Sequence, residues 1–527
     1  MFSMKHTLSR RTFVKAAGYG AALSVCGASL SGMAEEGVSQ PNILIIHADQ
    51  HRADCLGSYG NPDIRSPRID ALAADGVRFD RAYCPYPVCT PSRYSLLSGL
   101  PAHEHRGCTN HCTLPSDVET FPKILRRDGY RTTAVGKMHF TPTYLDVGFD
   151  RLFLAEQNGP GRWDDDYHRA LRDAGLVDIN DLEDQNKEYR VEADPEYWKT
   201  FGASASNLPA KYHSTNWIAE RALETLDGWT GSGNLLMAGF VKPHHPFDPP
   251  VEWRDAYNPD KLTLLPGWIP QVSPQDLAVS KGYFPHESLN ESALRRVMAY
   301  YYASIEQIDQ QVGRMVDLLK SKGLYENTVI VYTSDHGEYL GSHHLLLKSG
   351  YMYEPLVRVP LIIKYPKNRY AGRVSSVLTS NTDLAPTLLR QAGSTPSPAM
   401  RGIDLAAPTE GPEFVFAECD RPRQRMVRSR RSKLIITSQP DSTLLFDLDN
   451  DPIESRNRYG DPAYADEQRR LEEALREWGT EETPESYLDE NAPIIKQPNV
   501  PKRDDDHRVS IERYFRDKMN ARRGARS

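Results

Sequence analysis

Residues 42–50 read N-I-L-I-I-H-A-D-Q. The run from Asn42 to Ile46 is short and mostly apolar. That is the pattern of a strand buried on both faces of a parallel sheet. His47, Ala48, Asp49 and Gln50 follow at its carboxyl end, where open α/β sheets place their sites. The pattern returns twice. Leu235-Leu236-Met237-Ala238-Gly239-Phe240 leads through Val241 into K-P-H-H-P-F, and Thr328-Val329-Ile330-Val331-Tyr332-Thr333 leads into S-D-H-G-E. Three apolar runs that end in polar and ionisable residues predict an α/β fold with one site assembled from strand ends.

Working outward, Ser66-Pro67 opens a helix to Ala74, a capping residue followed by proline at the first helical position. Asn290 to Lys320 is long and periodic, with Gly323 as its stop. Residues 155–215 are polar and aromatic-rich and read as an irregular insertion over the site. Its Trp163, Asp164 to Asp166, Tyr167, His168, Trp198 and Trp217 suit either a sugar-binding wall or ordinary packing. From about residue 411 the texture changes. Phe414 to Glu418, Met426 to Arg428, Lys433 to Thr437 and Thr443 to Phe446 read as short antiparallel strands, followed by an amphipathic helix from Ala463 to Trp478. The predicted organisation is a large domain over 35–410, an α+β subdomain over 411–493, and a charged tail over 494–527 that wraps or dangles.

The 527 residues carry a formal net charge of -7, which excludes nucleic acid as the main partner. Seven cysteines are too few for a disulfide scaffold. Four of them, Cys84, Cys89, Cys108 and Cys112, crowd into one stretch where a bridge is possible but unassigned. Cys108-Thr109-Asn110-His111-Cys112, near His103 and His105, matches no standard zinc spacing and reads as a loop with paired or free thiols. Ser9 to Lys15, S-R-R-T-F-V-K, precedes an apolar, small-residue stretch from Ala16 to Leu30. Residues 1–34 resemble a twin-arginine export signal with cleavage after Ala34, implying passage through that machinery to the periplasm or the medium. Lipidation at Cys26 is the weaker alternative, because Val25 is bulky for such a site.

The sharpest local feature is Cys89-Thr90-Pro91-Ser92-Arg93. A cysteine and an arginine on one side of a forming helix place the sulfur beside a guanidinium and a helix N-terminus, both of which favour an anion. C-T-P-S-R resembles the signature of the type I, formylglycine-dependent sulfatases of the alkaline phosphatase superfamily. N-I-L-I-I-H-A-D-Q-H-R-A-D-C-L-G-S-Y-G resembles that family's first strand and metal-binding turn. G-K-M-H at 136–139, K-P-H-H-P-F, T-S-D-H-G-E, L-L-K-S-G-Y-M-Y-E-P-L-V-R-V-P-L-I-I and L-L-F-D-L-D-N-D-P-I-E follow in the family's order. The resemblance spans roughly residues 41–460.

The resemblance implies an alkaline-phosphatase-like, mostly parallel sheet sandwiched by helices, with a smaller C-terminal antiparallel sheet plus helix. It implies hydrolysis of sulfate esters by an exported bacterial polysaccharide sulfatase acting on a sulfated carbohydrate. A formylglycine-generating or sulfatase-maturing enzyme would oxidise Cys89 to formylglycine, whose hydrated aldehyde attacks sulfur. Asp49, Gln50, Asp335 and His336, with the modified Cys89, would hold one divalent cation. The oxygen donors suit a hard ion and the family implies calcium, with magnesium or manganese left open. Arg93, Lys137 and Lys348 would meet the sulfate oxygens. His244 and Lys348 are placed to protonate the leaving group, and His139 to act as base.

Two positions depart from or blur the pattern. Of the adjacent pair, the spacing selects His244, so His245 reads as a substrate contact or a packed residue. The family's G-D-H-G is here Gly341-Ser342-His343-His344, with His343 keeping its place as a contact to sulfate or leaving group. Rival readings are an aryl or choline sulfatase, a phosphodiester or phosphonate monoester hydrolase of the same superfamily, and a degenerate polysaccharide-binding protein.

Overall fold

The computed structural model describes residues 40–158, 160–279, 283–348, 350–407, 410–419, 423–479, 485–496 and 505–526. The predicted export signal and Cys26 lie outside these residues. Within them, the apolar run at 42–46 becomes β1 (Asn42–Asp49), buried along its whole length. The chain then adds β2 (Val77–Phe79), β3 (Ala82–Tyr83), β4 (Arg131–Gly136), β5 (Arg151–Leu154), β6 (Asn234–Pro243), β7 (Thr328–Ser334), β8 (Leu361–Lys364), β9 (Arg373–Ser375) and β10 (Thr379–Ser380). Eight of these form one sheet in the order β5-β4-β6-β1-β7-β8-β2-β9, and β3 pairs with β10. From β5 to β7 all neighbours are parallel, while β8 runs antiparallel to both β7 and β2.

Alternation along β1 explains the layers. Ile43 and Ile45 enter one hydrophobic cluster, and Leu44, Ile46 and Ala48 enter the other. Both faces are therefore covered, as a central parallel strand requires. The first cluster takes in the helices Cys89–Ser98, Phe121–Arg127 and Leu384–Gln391. The second takes in Pro67–Ala74, Ser214–Asp227 and the long helix Glu291–Ser321. The long helix starts as its sequence predicts: the Asn290 side chain accepts the Ala293 backbone N–H.

The C-terminal part is an antiparallel meander of β11 (Val415–Cys419), β12 (Gln424–Arg428), β13 (Ser432–Thr437) and β14 (Leu444–Asp447). One face, with Met426, Ile435, Leu444 and Phe446, joins the first cluster of the large sheet. The other face packs Val427, Leu434 and Leu445 on Leu471 and Leu475 of the helix Ala465–Trp478.

Two regions differ from their sequence reading. The insertion over 155–215 holds short helices, among them Asp166–Asp173, Ile179–Gln185, Lys187–Arg190 and Pro195–Lys199, each begun by an Asp or Asn whose side chain accepts a first-turn N–H. The charged tail contains a helix, Asp505–Arg526, whose Ile511, Phe515 and Met519 are buried in the second cluster. Those three apolar residues recur every four positions among charged ones, the signal of one docking face.

Candidate active site

Parallel pairing sets the site. Ala48 stands opposite Ser334, so Asp49 and Asp335 leave the sheet as neighbours at the carboxyl ends of β1 and β7. β6 delivers His244 and His245 at the same edge, and β4 delivers Lys137 and His139. Cys89 is the first residue of the helix Cys89–Ser98 and is buried, as are Arg93 and Lys137. Asp49, Cys89, Asp335 and His336 each bring one ligand atom to within 4.8 Å of one another, the one such group among the described residues.

The polar contacts are dense. Arg93 Nη2 donates to Asp49 Oδ2 at 2.7 Å and its Nε to Asp335 Oδ2 at 3.0 Å. Lys137 Nζ lies 2.9 Å from Asp49 Oδ2. Lys348 Nζ sits 2.9 Å from Cys89 Sγ, 3.2 Å from His244 Nε2 and 3.2 Å from His336 Nε2. Arg93, Lys137 and Lys348 thus face two carboxylates and the Cys89 sulfur. Such a concentration of fixed cations suits an anionic substrate. Burial pushes the Cys89 thiol up and Asp49 adds to this, but Lys348 and Lys137 outweigh them and leave it well below the ordinary thiol value. Asp49 is likewise raised by burial, yet Lys137, His244 and Arg93 hold it well below the usual carboxylate range.

Carbonyl partners fix two histidine tautomers, because a carbonyl can only accept. His336 Nδ1 donates to Gly337 O at 2.8 Å, which turns Nε2 toward Cys89 at 3.5 Å. His244 Nδ1 donates to His245 O at 2.7 Å, which leaves Nε2 for Lys348. Burial, with Lys137 and Lys348, pushes His244 well below the ordinary histidine value. His139 has φ 59° and Gln50 φ 62°, left-handed conformations that cost about 1–3 kcal/mol in residues of this size. The His139 backbone is pinned by Glu156 Oε1 at 2.9 Å and by the Thr90 hydroxyl at 2.9 Å, and its Nδ1 has no hydrogen bond among the described residues.

The residues fit a metal ion. Gln50 is buried, its amide nitrogen is committed to Glu338, its backbone N–H donates to Asp335 Oδ1 at 3.0 Å, and its Oε1 has no hydrogen bond among the described residues. A buried acceptor without a donor is costly unless something electropositive meets it. Asp49, Gln50, Asp335 and His336, together with residue 89, could hold one cation through mostly oxygen donors.

Two predicted contacts are placed differently from the rest. His245 Nδ1 is 2.6 Å from Asp184 Oδ2, and its ring stacks on His244 with centroids 4.3 Å apart. His343 lies outside the cluster. Its ring stacks on Tyr353 at 3.7 Å and its Nε2 donates to Ile453 O at 3.1 Å, which ties the loop to the C-terminal subdomain. The aromatics singled out in the sequence pack on other rings: Trp163 on Phe515 of the C-terminal helix, Trp217 on Tyr167, and Trp198 on Tyr197 and Phe284.

Sequence reading missed Gln157 and Asp184. Gln157 accepts from Lys137 Nζ at 3.1 Å and donates to His245 O at 2.7 Å and to Asp181 Oδ1 at 2.9 Å. It ties a strand-end lysine to the histidine pair. Neither residue belongs to a motif, and the one signal is their place in an acidic, amide-rich insertion. No disulfide joins the cysteines among the described residues, and no metal-ligating group forms around Cys108 and Cys112 there.

With this geometry in place, the comparisons are concordant. The sulfatase family model matches residues 41–394, and the model for the C-terminal part of N-sulphoglucosamine sulphohydrolase matches residues 341–481. The chain is similar to the N-acetylglucosamine-6-O-sulfatase of Bacteroides thetaiotaomicron, at 28% identity over 90% of this chain and 91% of that protein. It is 30% identical to an arylsulfatase of Clostridium perfringens over 81% and 91% of the two chains. Among solved structures, the phosphonate monoester hydrolase of Agrobacterium radiobacter superposes with a TM-score of 0.70 at 25% identity, covering 83% of this chain and 95% of that one. A protein solved with its substrate D-glucosamine-2-N,6-O-disulfate shares the fold with a TM-score of 0.66 at 22% identity, over 83% and 97%. Cys89 on its buried helix, the strand-end carboxylates and the match along two thirds of the sequence lead to one conclusion: the chain belongs to the sulfatase family and is a sulfuric ester hydrolase with an alkaline-phosphatase-like fold.

Proposed function

We propose that this enzyme removes sulfate from a sulfated carbohydrate, with residue 89 acting as formylglycine and with one hard divalent cation, calcium first, held by Asp49, Gln50, Asp335 and His336. The observation that carries the reading is the convergence of four strand ends and Lys348 on Cys89. Formylglycine supplies a hydrated aldehyde as nucleophile in place of a thiol, and the cation supplies Lewis acidity against an anionic ester. Arg93, Lys137 and Lys348 meet the charge that shifts onto the sulfate oxygens. Lys348 and His244 are 3.2 Å apart and together carry a proton to the leaving alkoxide. His139, with a free ring nitrogen, is the base for sulfate release.

The carbohydrate class is supported by the relative named for N-acetylglucosamine 6-O-sulfate and by the solved relative bound to a glucosamine disulfate. The sequence at 1–34 supports export through the twin-arginine machinery, after maturation by a formylglycine-generating or sulfatase-maturing enzyme. The test begins with mass spectrometry of the peptide containing position 89. A panel of defined sulfated oligosaccharides follows, with desulfated positions located by NMR. Turnover of choline sulfate or an aryl sulfate with no oligosaccharide turnover would remove the carbohydrate. The fold likeness to a phosphonate monoester hydrolase favours one rival, and faster turnover of an aryl phosphonate than of the matched aryl sulfate would establish it.

A further inference from the structure

Cys108 and Cys112 sit in a loop that holds the nucleophile's helix. The helix Cys89–Ser98 has Val88 at its N-cap position, with no side chain of its own to cap it. Asn110, from the middle of the loop, accepts the Thr90 N–H at 3.1 Å and serves as that cap from outside. The two ends of the loop are fastened to the same region. Tyr86 donates its hydroxyl to Cys108 O at 2.7 Å, and Tyr94 donates to Cys112 O at 3.0 Å. Each anchor falls on the carbonyl of a cysteine.

We propose that Cys108 and Cys112 are a redox pair that closes as a disulfide and thereby fixes the loop capping the Cys89 helix. Both sulfurs contact one hydroxyl, Ser486 Oγ, at 3.3 and 3.2 Å. A turn with Cys112 N–H on Thr109 O brings the chain at Cys112 back toward Cys108. The Cys112 sulfur also receives the Thr109 N–H at 3.2 Å and lies 3.1 Å from the Thr109 hydroxyl. Hydrogen bonding from Cys108 and these neighbours brings the Cys112 thiol down to about 5, so it attacks as a thiolate. Burial instead pushes Cys55 and Cys84 well above the ordinary thiol value. Access is provided as well. A cavity of about 780 Å³, lined by Tyr86, Cys108, Cys419 and Gln424 among others, opens at Cys108 and has room for a small thiol oxidant.

The chemistry balances with a low-molecular-weight disulfide such as oxidised glutathione. Cys108, at the cavity, gives up its proton and attacks one sulfur of that disulfide, which breaks the S–S bond and releases one glutathione thiolate. The Cys112 thiolate then displaces the second glutathione from the mixed disulfide. Two protein thiols are oxidised, one glutathione disulfide is reduced, and the protons end on the two released thiols.

The full chain is equilibrated in glutathione buffers of rising oxidised-to-reduced ratio, acid-quenched, alkylated and mapped by peptide mass. The expected result is a Cys108–Cys112 bridge that appears before any other cysteine escapes alkylation. The melting temperature should rise by about 2 °C on oxidation in the parent and should not respond in the Cys108→Ser/Cys112→Ser double variant. Alkylation of both thiols at every ratio, a bridge from Cys108 to Cys419, or stoichiometric zinc on the pair would each overturn the proposal. No sulfatase activity is read, so failure here and failure of the proposed reaction are separate results.

Discussion

Asp49 and Asp184 are both wholly buried carboxylates that hold a functional partner, but they are put in place by different means. Asp49 ends a strand paired on both sides, and its position follows from the register of β1 with β6 and β7. Asp184 lies on the short helix Ile179–Gln185, in an insertion without strands of its own after β5. Tyr197 donates a hydroxyl to its carboxylate and Tyr283 to its backbone carbonyl. The insertion is held further by the helix Asp505–Arg526: Phe515 packs on Trp163 and His168, Tyr514 donates to Leu176 O, and Arg523 pairs with Glu192. The difference teaches a division of labour. Charge and bond-making chemistry sit at strand ends whose geometry the sheet makes hard to alter, and the insertion supplies Asp184 and Gln157, which hold His245 from outside the sheet.

The largest effect should come from the strand-end side. Cys89→Ala should lower kcat by about 10⁴-fold or more with an unchanged melting temperature, read by single-turnover kinetics. More than a tenth of the parent rate would break the assignment of the nucleophile. On the insertion side, Phe515→Ala removes a buried aromatic from a docked helix and should cost about 3 kcal/mol of stability. KM for an oligosaccharide should rise while kcat on a small aryl sulfate holds, and a parallel loss on both substrates would erase the contrast between the regions.

Asp184→Asn sharpens the same comparison. It removes the carboxylate that orients His245, and should lower kcat/KM by about 10- to 100-fold, as for other outer partners of a functional histidine. If His245→Gln shows the same loss and the double variant adds nothing, the two residues act as one unit.

The smallest effect lies at the seam with the C-terminal sheet. Glu354 accepts from Tyr83 at 3.0 Å, from Arg428 at 3.3 Å and lies 3.1 Å from Lys433. Burial raises its carboxyl, but Lys433, Arg428 and Arg358 hold it well below the ordinary value of 4.5. A depressed carboxylate stabilises the fold above its unfolded pKa and loses that contribution as pH falls further. Glu354→Gln should therefore cost about 1–2 kcal/mol at neutral pH. The gap in melting temperature to the parent should close as pH drops below about 4.5.

Legibility followed local pattern. β1, β6 and β7 were readable because central parallel strands are continuous apolar runs, and the C-terminal strands because turns punctuate them. β4 has no such run: Arg131-Thr132-Thr133-Ala134-Val135-Gly136 is half polar, so Lys137 and His139 were placed by resemblance and not by pattern. His343 kept its place in a motif, yet the structure commits its ring to Tyr353 and Ile453. The tail read as charged because Ile511, Phe515 and Met519 are spaced among mostly ionic and polar residues.

The sequence by itself determined the reaction family and the α/β class, and its ordered motifs singled out Asp49, Cys89, Asp335 and His336, which the fold gathers within 4.8 Å of one another, and Arg93, which bonds to both carboxylates. Tertiary structure alone decided that Gln157 joins Lys137 to His245, that Asp184 orients His245, that Asn110 caps the Cys89 helix and that the C-terminal helix braces the insertion. The reason is chain distance. Asp184 and His245 are 61 positions apart, and Phe515 is farther still from Trp163. Which residues meet at such separations depends on how the whole core packs, and no local periodicity encodes it.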